Sequence, residues 1–416
     1  MTNLPPTHQD VLCLLSQALH AARQPESTSR ALNNHPDWPA ILREAAQQAV
    51  LPLVLEAALT LPPEQQPPGG VLAIYRDQAI RQAIHNERLM AAQDVILAAF
   101  ARQGIPCAIL KGASVACFYP QPSLREMGDI DLLTYPVHLD QAAGLLTGLG
   151  YSKAPAREDF HLGFVGPRAQ VELHFIATEY PEGPAGRHLR EAMEGALPAA
   201  RVQRMDGYSF PALSPPHQAI SLLIHTQRHM MGLGIGLRHL CDFAVFLNSL
   251  SPAAWQADIA PLLKQGGLLQ FARVLARACV LYLGLPAAQA PWSAQVDDRL
   301  AHDLLMDFLD SGNFGHKRST LRATAVLVAD KAGTGRPAGM LRTALRNINT
   351  YARKRYPAAQ RWPALLPLYW LYVPACYLVT RWRMGEGAAA RQTLVQARQR
   401  KRLFDQLRIY LPDEKA

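Results

Sequence analysis

Residues 107–133 read Cys-Ala-Ile-Leu-Lys-Gly-Ala-Ser-Val-Ala-Cys-Phe-Tyr-Pro-Gln-Pro-Ser-Leu-Arg-Glu-Met-Gly-Asp-Ile-Asp-Leu-Leu, and residues 171–175 read Val-Glu-Leu-His-Phe. Asp129 and Asp131 alternate with Ile130 and Leu132, and in a strand that period puts both carboxylates on one face and both aliphatic chains on the other. Glu172 alternates with Val171 and Leu173 in the same way, so a neighbouring strand would bring a third carboxylate to the same place. His174 shares the face of Glu172, where it either orients that carboxylate or is a hydrogen-bonded structural histidine.

Three converging carboxylates repel and raise one another's pKa values, an arrangement that makes sense with a divalent cation among them. Oxygen donors suit Mg²⁺ or Mn²⁺, and the expected companion of such an ion is a phosphate-bearing substrate. The preceding segment fits that expectation. Cys107 to Leu110 reads as a short apolar strand, Lys111 follows it, and Gly112 turns the chain into a helix predicted from Ala113 to Phe118. Backbone N–H groups at such a corner, with Lys111 and Arg125 nearby, would cradle phosphate. In the plainer reading, Lys111 and Arg125 pair with surface acids such as Glu126 or Asp140.

The pattern LKG…Y…R..GDIDLL followed by VELHF resembles the uncharacterised nucleotidyltransferase family of the DNA-polymerase-beta superfamily. The resemblance implies an α+β fold, a minimal polymerase-beta-like nucleotidyltransferase sheet embedded between N-terminal and C-terminal helical regions. It also implies a two-metal centre in which Asp129, Asp131 and Glu172 are catalytic and hold the metal beside a Gly112-Ala113 turn; Lys111, Gly112, Ser114 and Arg125 are the candidates for contacting the nucleotide. The superfamily usually has Gly-Ser or Gly-Gly at the turn. Here Ala113 follows Gly112, so the serine hydroxyl expected there is absent, although Ser114 is next.

The chain has 416 residues, 49% apolar and 18% charged, enough for a substantial core in two or three domains. The expected division is a helical N-terminal region at 1–104, a catalytic domain at 105–212, a helical substrate-cleft domain at 213–330 and a basic helical region at 331–416. Helices are predicted over 7–24, 39–60 with a bend at Pro52, 71–102, 136–149, 218–231, 237–250, 255–263 and 268–285. Strands are predicted near 151–153, 161–165 and 170–176, forming a small mixed sheet with helices on one side, and a separate short strand at 208–210. Gly166 and Pro167 form the turn between two of the strands.

His225, His229 and His239, close to Asp242, lie at helical spacings. The stretch around them resembles the His-rich helical segment of the same family. They are either ligands or acceptor contacts, or core histidines with hydrogen bonds.

The six cysteines show no close pairing, and the N-terminus does not resemble a secretory signal, so a reducing, cytoplasmic setting is expected. The formal charge of +9 is uneven: residues 317–416 carry 20 basic and 5 acidic side chains, and the rest 22 and 28. That basic quarter includes Pro363 to Val379, uncharged for 17 positions but interrupted by prolines. The run is short for a membrane span, and suits a buried helical pair or an interfacial segment peripheral to an acidic membrane or partner.

The chemistry expected from these residues is transfer of a nucleoside monophosphate from a nucleoside triphosphate to a small-molecule, protein or RNA acceptor. The alternatives are a catalytically inactive nucleotide-binding or interaction module, and a metal-dependent phosphohydrolase using a histidine such as His174.

Overall fold

A computed structural model describes residues 4–20, 32–157, 160–232, 234–313, 317, 339–383 and 389–411. Three helices open it: α1 (Pro6–His20), α2 (Trp38–Gln47) and α3 (Leu51–Leu59). Asp37 caps α2 by accepting from the Ala40 N–H at 3.1 Å. The expected single helix over 39–60 divides at Ala49, whose φ is +55°, and Pro52 falls in the first turn of α3. There its missing N–H costs no hydrogen bond.

The next helix, α4 (Gly69–Arg102), has 34 residues and so runs for about 51 Å. Its two halves differ. Leu89, Met90, Ile96 and Phe100 are buried, whereas Ile74, Ile80 and Ile84, which the apolar spacing assigns to the same buried stripe, are exposed. Only the C-terminal half lies against the sheet.

The sheet contains β1 (Cys107–Ile109), β2 (Ile130–Thr134), β3 (Ser152–Arg157), β4 (His161–Val165), β5 (Gln170–His174), β6 (Arg201–Met205) and β7 (Tyr208–Ala212). Its spatial order is β3-β4-β5-β2-β1-β7-β6. β2 runs parallel to β5 and antiparallel to β1, and β1 runs parallel to β7. The β4–β5 hairpin turns at Gly166, whose N–H reaches the Ala169 carbonyl at 3.0 Å.

The strand period decides what each face meets. Ile130, Leu132, Val171 and Leu173 pack with the buried half of α4 and with Ala142 and Leu146 of α6 (Leu139–Gly148). Truncating one such leucine to alanine costs about 2–5 kcal/mol. Ala108 and Leu133 point the other way and join a larger core. That core includes residues of α8 (Pro215–Met231), α9 (Leu237–Asn248) and the helix Leu269–Tyr282. Helices therefore cover both faces of a seven-stranded sheet, where the sequence predicts a smaller sheet covered on one side.

The N-terminal helices share the larger core. Gln48 donates to the Leu309 carbonyl at 3.0 Å and accepts from the Leu237 N–H at 3.0 Å. Towards the C-terminus, helix Ala389–Leu407 returns to helix Asp298–Ser311 through Arg400, which donates to both oxygens of Asp307. Helix Leu366–Arg383 contains Pro374 and leaves Leu368 64% and Leu371 78% exposed. Among the described residues no helix is long and apolar enough to cross a membrane.

Candidate functional site

The face of β2 and β5 turned away from α4 and α6 carries the acids. Asp131 lies beside Glu172 in the parallel register, as Leu132 lies beside Leu173. Asp129 stands one residue before β2, so it enters from the loop and not from the strand itself. Carboxylate oxygens of Asp129, Asp131 and Glu172 all lie within 4.8 Å of one another.

Two basic side chains hold Asp131, which is 2% exposed. Lys111 Nζ donates to Oδ1 at 2.7 Å, and His174 Nε2 lies 3.0 Å from the same oxygen and 3.2 Å from Glu172 Oε2. Burial opposes the charged form of Asp131. The Lys111 ammonium and the His174 hydrogen bond outweigh it and keep the carboxyl well below the usual carboxylate range. The opposite happens at Asp129, which the neighbouring Asp131 charge and then burial push up to about 7. Burial alone would lower Lys111 and His174, but the surrounding carboxylates raise both.

The loop before Asp129 is fixed from two sides. Asn86 of α4, 3% exposed, donates to the Ser123 and Arg125 carbonyls, both at 2.9 Å, and accepts from the Met127 N–H at 3.2 Å. From α9, Asp242 receives Arg125 Nε at 2.7 Å, Nη2 at 2.8 Å and the Tyr119 hydroxyl at 2.6 Å. Burial disfavours the Arg125 cation, but Asp242 more than compensates and raises its pKa.

The sequence-predicted residues thus fall into two groups. Asp129, Asp131, Glu172 and Lys111 meet directly. Gly112 borders them with φ +64°, a backbone conformation that side chains rarely adopt, and a Cβ there would face the Asp129 carbonyl at 3.6 Å. Ser114 and Arg125 are both buried, Arg125 against Asp242 and Ser114 within helix α5 (Ala113–Ala116). That helix is a single turn, shorter than predicted, and contributes little dipole.

His161 and Asn86 were missed by the sequence reading. His161 Nε2 lies 3.7 Å from Glu172 Oε1. It had a legible signal, since a hairpin turning after Gly166 sets His161 opposite His174. Asn86 had none, standing between His85 and Glu87 in a polar stretch of the helix.

His225 and His229 on α8 and His239 on α9 also meet, each offering a ring nitrogen within 4.8 Å of the others.

The chemistry available at the acidic face is cation binding by three carboxylates, with an ammonium beside them to meet an anion. The donors fit a hard divalent ion, and the raised pKa of Asp129 marks like-charge crowding that such an ion would relieve.

None of the curated proteins compared matches the chain. Solved structures that match include one described as an antigenic nucleotidyltransferase-like protein from Paracoccidioides brasiliensis. It is 16% identical, with a TM-score of 0.34 over 49% of this chain and 92% of that one. Residues 34–284, well over half of the chain and including every acid of the site, match the family described as uncharacterised nucleotidyltransferase, and the chain belongs to that family.

Proposed function

We infer that the protein transfers a nucleoside monophosphate from a nucleoside triphosphate to an acceptor hydroxyl or similar nucleophile, releasing pyrophosphate. The observation that carries this reading is the convergence of Asp129, Asp131 and Glu172 on one sheet face with Lys111 beside them. The family supports nucleotidyl transfer in general. The antiparallel β1–β2 pair with β5 parallel to β2 supports a polymerase-beta-like core within the larger sheet.

Asp129, Asp131 and Glu172 would hold Mg²⁺ or Mn²⁺. Bound there, the ion supplies positive charge that activates the acceptor oxygen and offsets charge developing on the phosphates. The chain's own residues do the rest. Lys111 lies where an ammonium can contact a triphosphate once it exchanges its bond to Asp131. His174 orients the Asp131 and Glu172 carboxylates through hydrogen bonds, and His161 supports Glu172 from the next strand. Gly112 keeps the turn beside Asp129 free of a side chain, which suits close phosphate approach. Arg125 acts through Asp242 by fixing the loop that delivers Asp129. The acceptor attacks the α-phosphorus and the bond to pyrophosphate breaks, so no covalent protein nucleophile is required.

One feature favours the second reading, a nucleotide-binding module without turnover. Lys111 and His174 already neutralise Asp131 within the chain. Pyrophosphate release from each of the four ribonucleoside triphosphates, with Mg²⁺ or Mn²⁺ and a mixed extract as acceptor source, separates the two. Release by the native protein and not by Asp131→Asn supports transfer. Nucleotide binding with no release in any extract supports the module, and free monophosphate without an adduct would point to hydrolysis.

A further inference from the structure

The three histidines on the helical side form a second centre that the acidic site does not use. His225 and His229 are spaced so that one face of α8 carries both, and His239 in the first turn of α9 closes the triangle. Ring centroids are 4.4 Å apart for His225 and His229, 5.3 Å for His225 and His239, and 5.4 Å for His229 and His239.

The connection between the helices is built for this approach. Gly234 has φ +104°, and a Cβ on Gly236 would come within 2.8 Å of the Gln48 carbonyl and 3.0 Å of the Asn313 nitrogen.

Among the described residues the cluster is made of the three imidazoles. Burial first, and then Lys111, hold His225 well below its ordinary value, and the same two causes bring His229 down to about 3. Burial and then Arg238 do the same for His239, while the Gly236 carbonyl beside its ring works the other way. A metal binds the neutral imidazole, and the geometry of the three rings is what recommends them as ligands.

A purely imidazole donor set selects Zn²⁺ over Mg²⁺ or Mn²⁺, which prefer oxygen. Zn–N bonds of about 2.0–2.1 Å in a tetrahedron put ligand nitrogens about 3.4 Å apart. Nitrogens already within 4.8 Å reach that spacing by side-chain rotation of roughly an ångström. The nearby cations would oppose a dication, but two of them are ion-paired, Lys111 with Asp131 at 2.7 Å and Arg228 with Glu179 at 3.6 Å, while Arg238 donates to the Glu126 carbonyl at 3.1 Å.

We propose that His225, His229 and His239 form a zinc site with a fourth position open to water or a substrate oxygen, distinct from the Asp129–Asp131–Glu172 centre. The site does not depend on nucleotidyl transfer.

The test uses the full-length protein, stripped with chelator and dialysed against zinc sulfate alone, without nucleotide or Mg²⁺. Bound metal is read by mass spectrometry for the native protein, Asp131→Asn, His225→Asn and His229→Asn. One equivalent is expected in the native protein and also in Asp131→Asn, held less tightly there because Lys111 loses its counter-charge, with affinity falling further, by at least about tenfold, in each histidine variant. Co²⁺ in place of zinc should give the strong visible bands of a four-coordinate ion in the native protein. Folded native protein without stoichiometric zinc would overturn the site and leave the rings as packed core histidines. Zinc retained by both histidine variants and lost from Asp131→Asn would assign the metal to the acids instead. The native-protein result stands even if a variant fails to fold, and a catalytically inactive protein would still answer the question.

Discussion

Arg125 and Asp242, 117 positions apart, are joined by two hydrogen bonds of 2.7 and 2.8 Å in a fully enclosed pair. The pair ties the loop leading to Asp129 to helix α9, so the acidic site and the helical bundle share one support.

Removing one partner leaves a buried charge without an answer. Asp242→Ala should cost about 3–5 kcal/mol in denaturant unfolding. Arg125→Lys should recover little, because an ammonium cannot reproduce the two-point contact of a guanidinium. A loss below about 1 kcal/mol for Asp242→Ala, the level of an exposed pair, would mean that the pair does not fix the loop.

The acids should behave as ligands. Asp129→Asn and Asp131→Asn should each lower Mg²⁺-dependent turnover by more than about a hundredfold, beyond the effect typical of residues that only support a ligand. Asp131→Asn should also lower stability by about 1–3 kcal/mol, since Lys111 and His174 lose their charged acceptor. Circular dichroism checks the fold. Full turnover in both variants would reject the assignment.

Asp129 makes the centre sensitive to pH. Its carboxyl, raised to about 7 by Asp131 and burial, lies above the roughly 3.9 of an unfolded aspartate. The folded chain therefore keeps a proton that the unfolded chain has released, so this contribution to stability is full below about pH 4 and lost as pH rises through about 7. Asp131, held low, works in reverse: its contribution is present above about pH 4 and is lost on further acidification. In chelator-treated protein, Mg²⁺ should bind more tightly as pH rises from about 6 to 8 and displace up to one proton. Calorimetry in two buffers of different ionisation heat measures this. An affinity indifferent to pH would remove Asp129 from the ligand set.

Gly112→Val should destabilise the turn after β1 by about 1–3 kcal/mol, because a β-branched residue is forced to φ +64° and ψ −110°. Thermal unfolding reads the cost. Mg²⁺ affinity should fall with it, since the turn borders Asp129. An unchanged melting temperature would show that the turn relaxes freely.

Helix Leu366–Arg383 presents Leu368 and Leu371 to solvent in the most basic part of the chain. If it is interfacial, the protein should sediment with anionic vesicles and not with neutral ones, and Leu368→Glu with Leu371→Glu should release it. Equal partition between the two vesicle types would discard that role.

The acidic face was legible because period-two alternation is local, and Ile130, Leu132, Val171 and Leu173 each point where the pattern sends them. Asp129 was legible in place but not in kind, since β2 begins one residue later. Arg125 shows what local reading misses. It looked like a phosphate contact, and its partner is an aspartate that nothing near it in sequence announces. β6 was missed because Arg201 to Arg204 has no buried face for a period to reveal. The outer half of α4 misled in the other direction, as its isoleucines keep a helical spacing without a surface to cover.

The lateral pairing of Asp131 with Glu172 has a consequence for how the centre comes into being. A parallel pair cannot be closed by a tight hairpin, and the chain between β2 and β5 runs through α6 and the β3–β4 strands before it returns. A slip of one residue in that pairing would turn Glu172 towards α4 and α6 and bring Val171 or Leu173 to the acids. Affinity for a divalent ion should therefore emerge only with the β2–β5 contact, making metal uptake a stopwatch for the closing of that parallel pair.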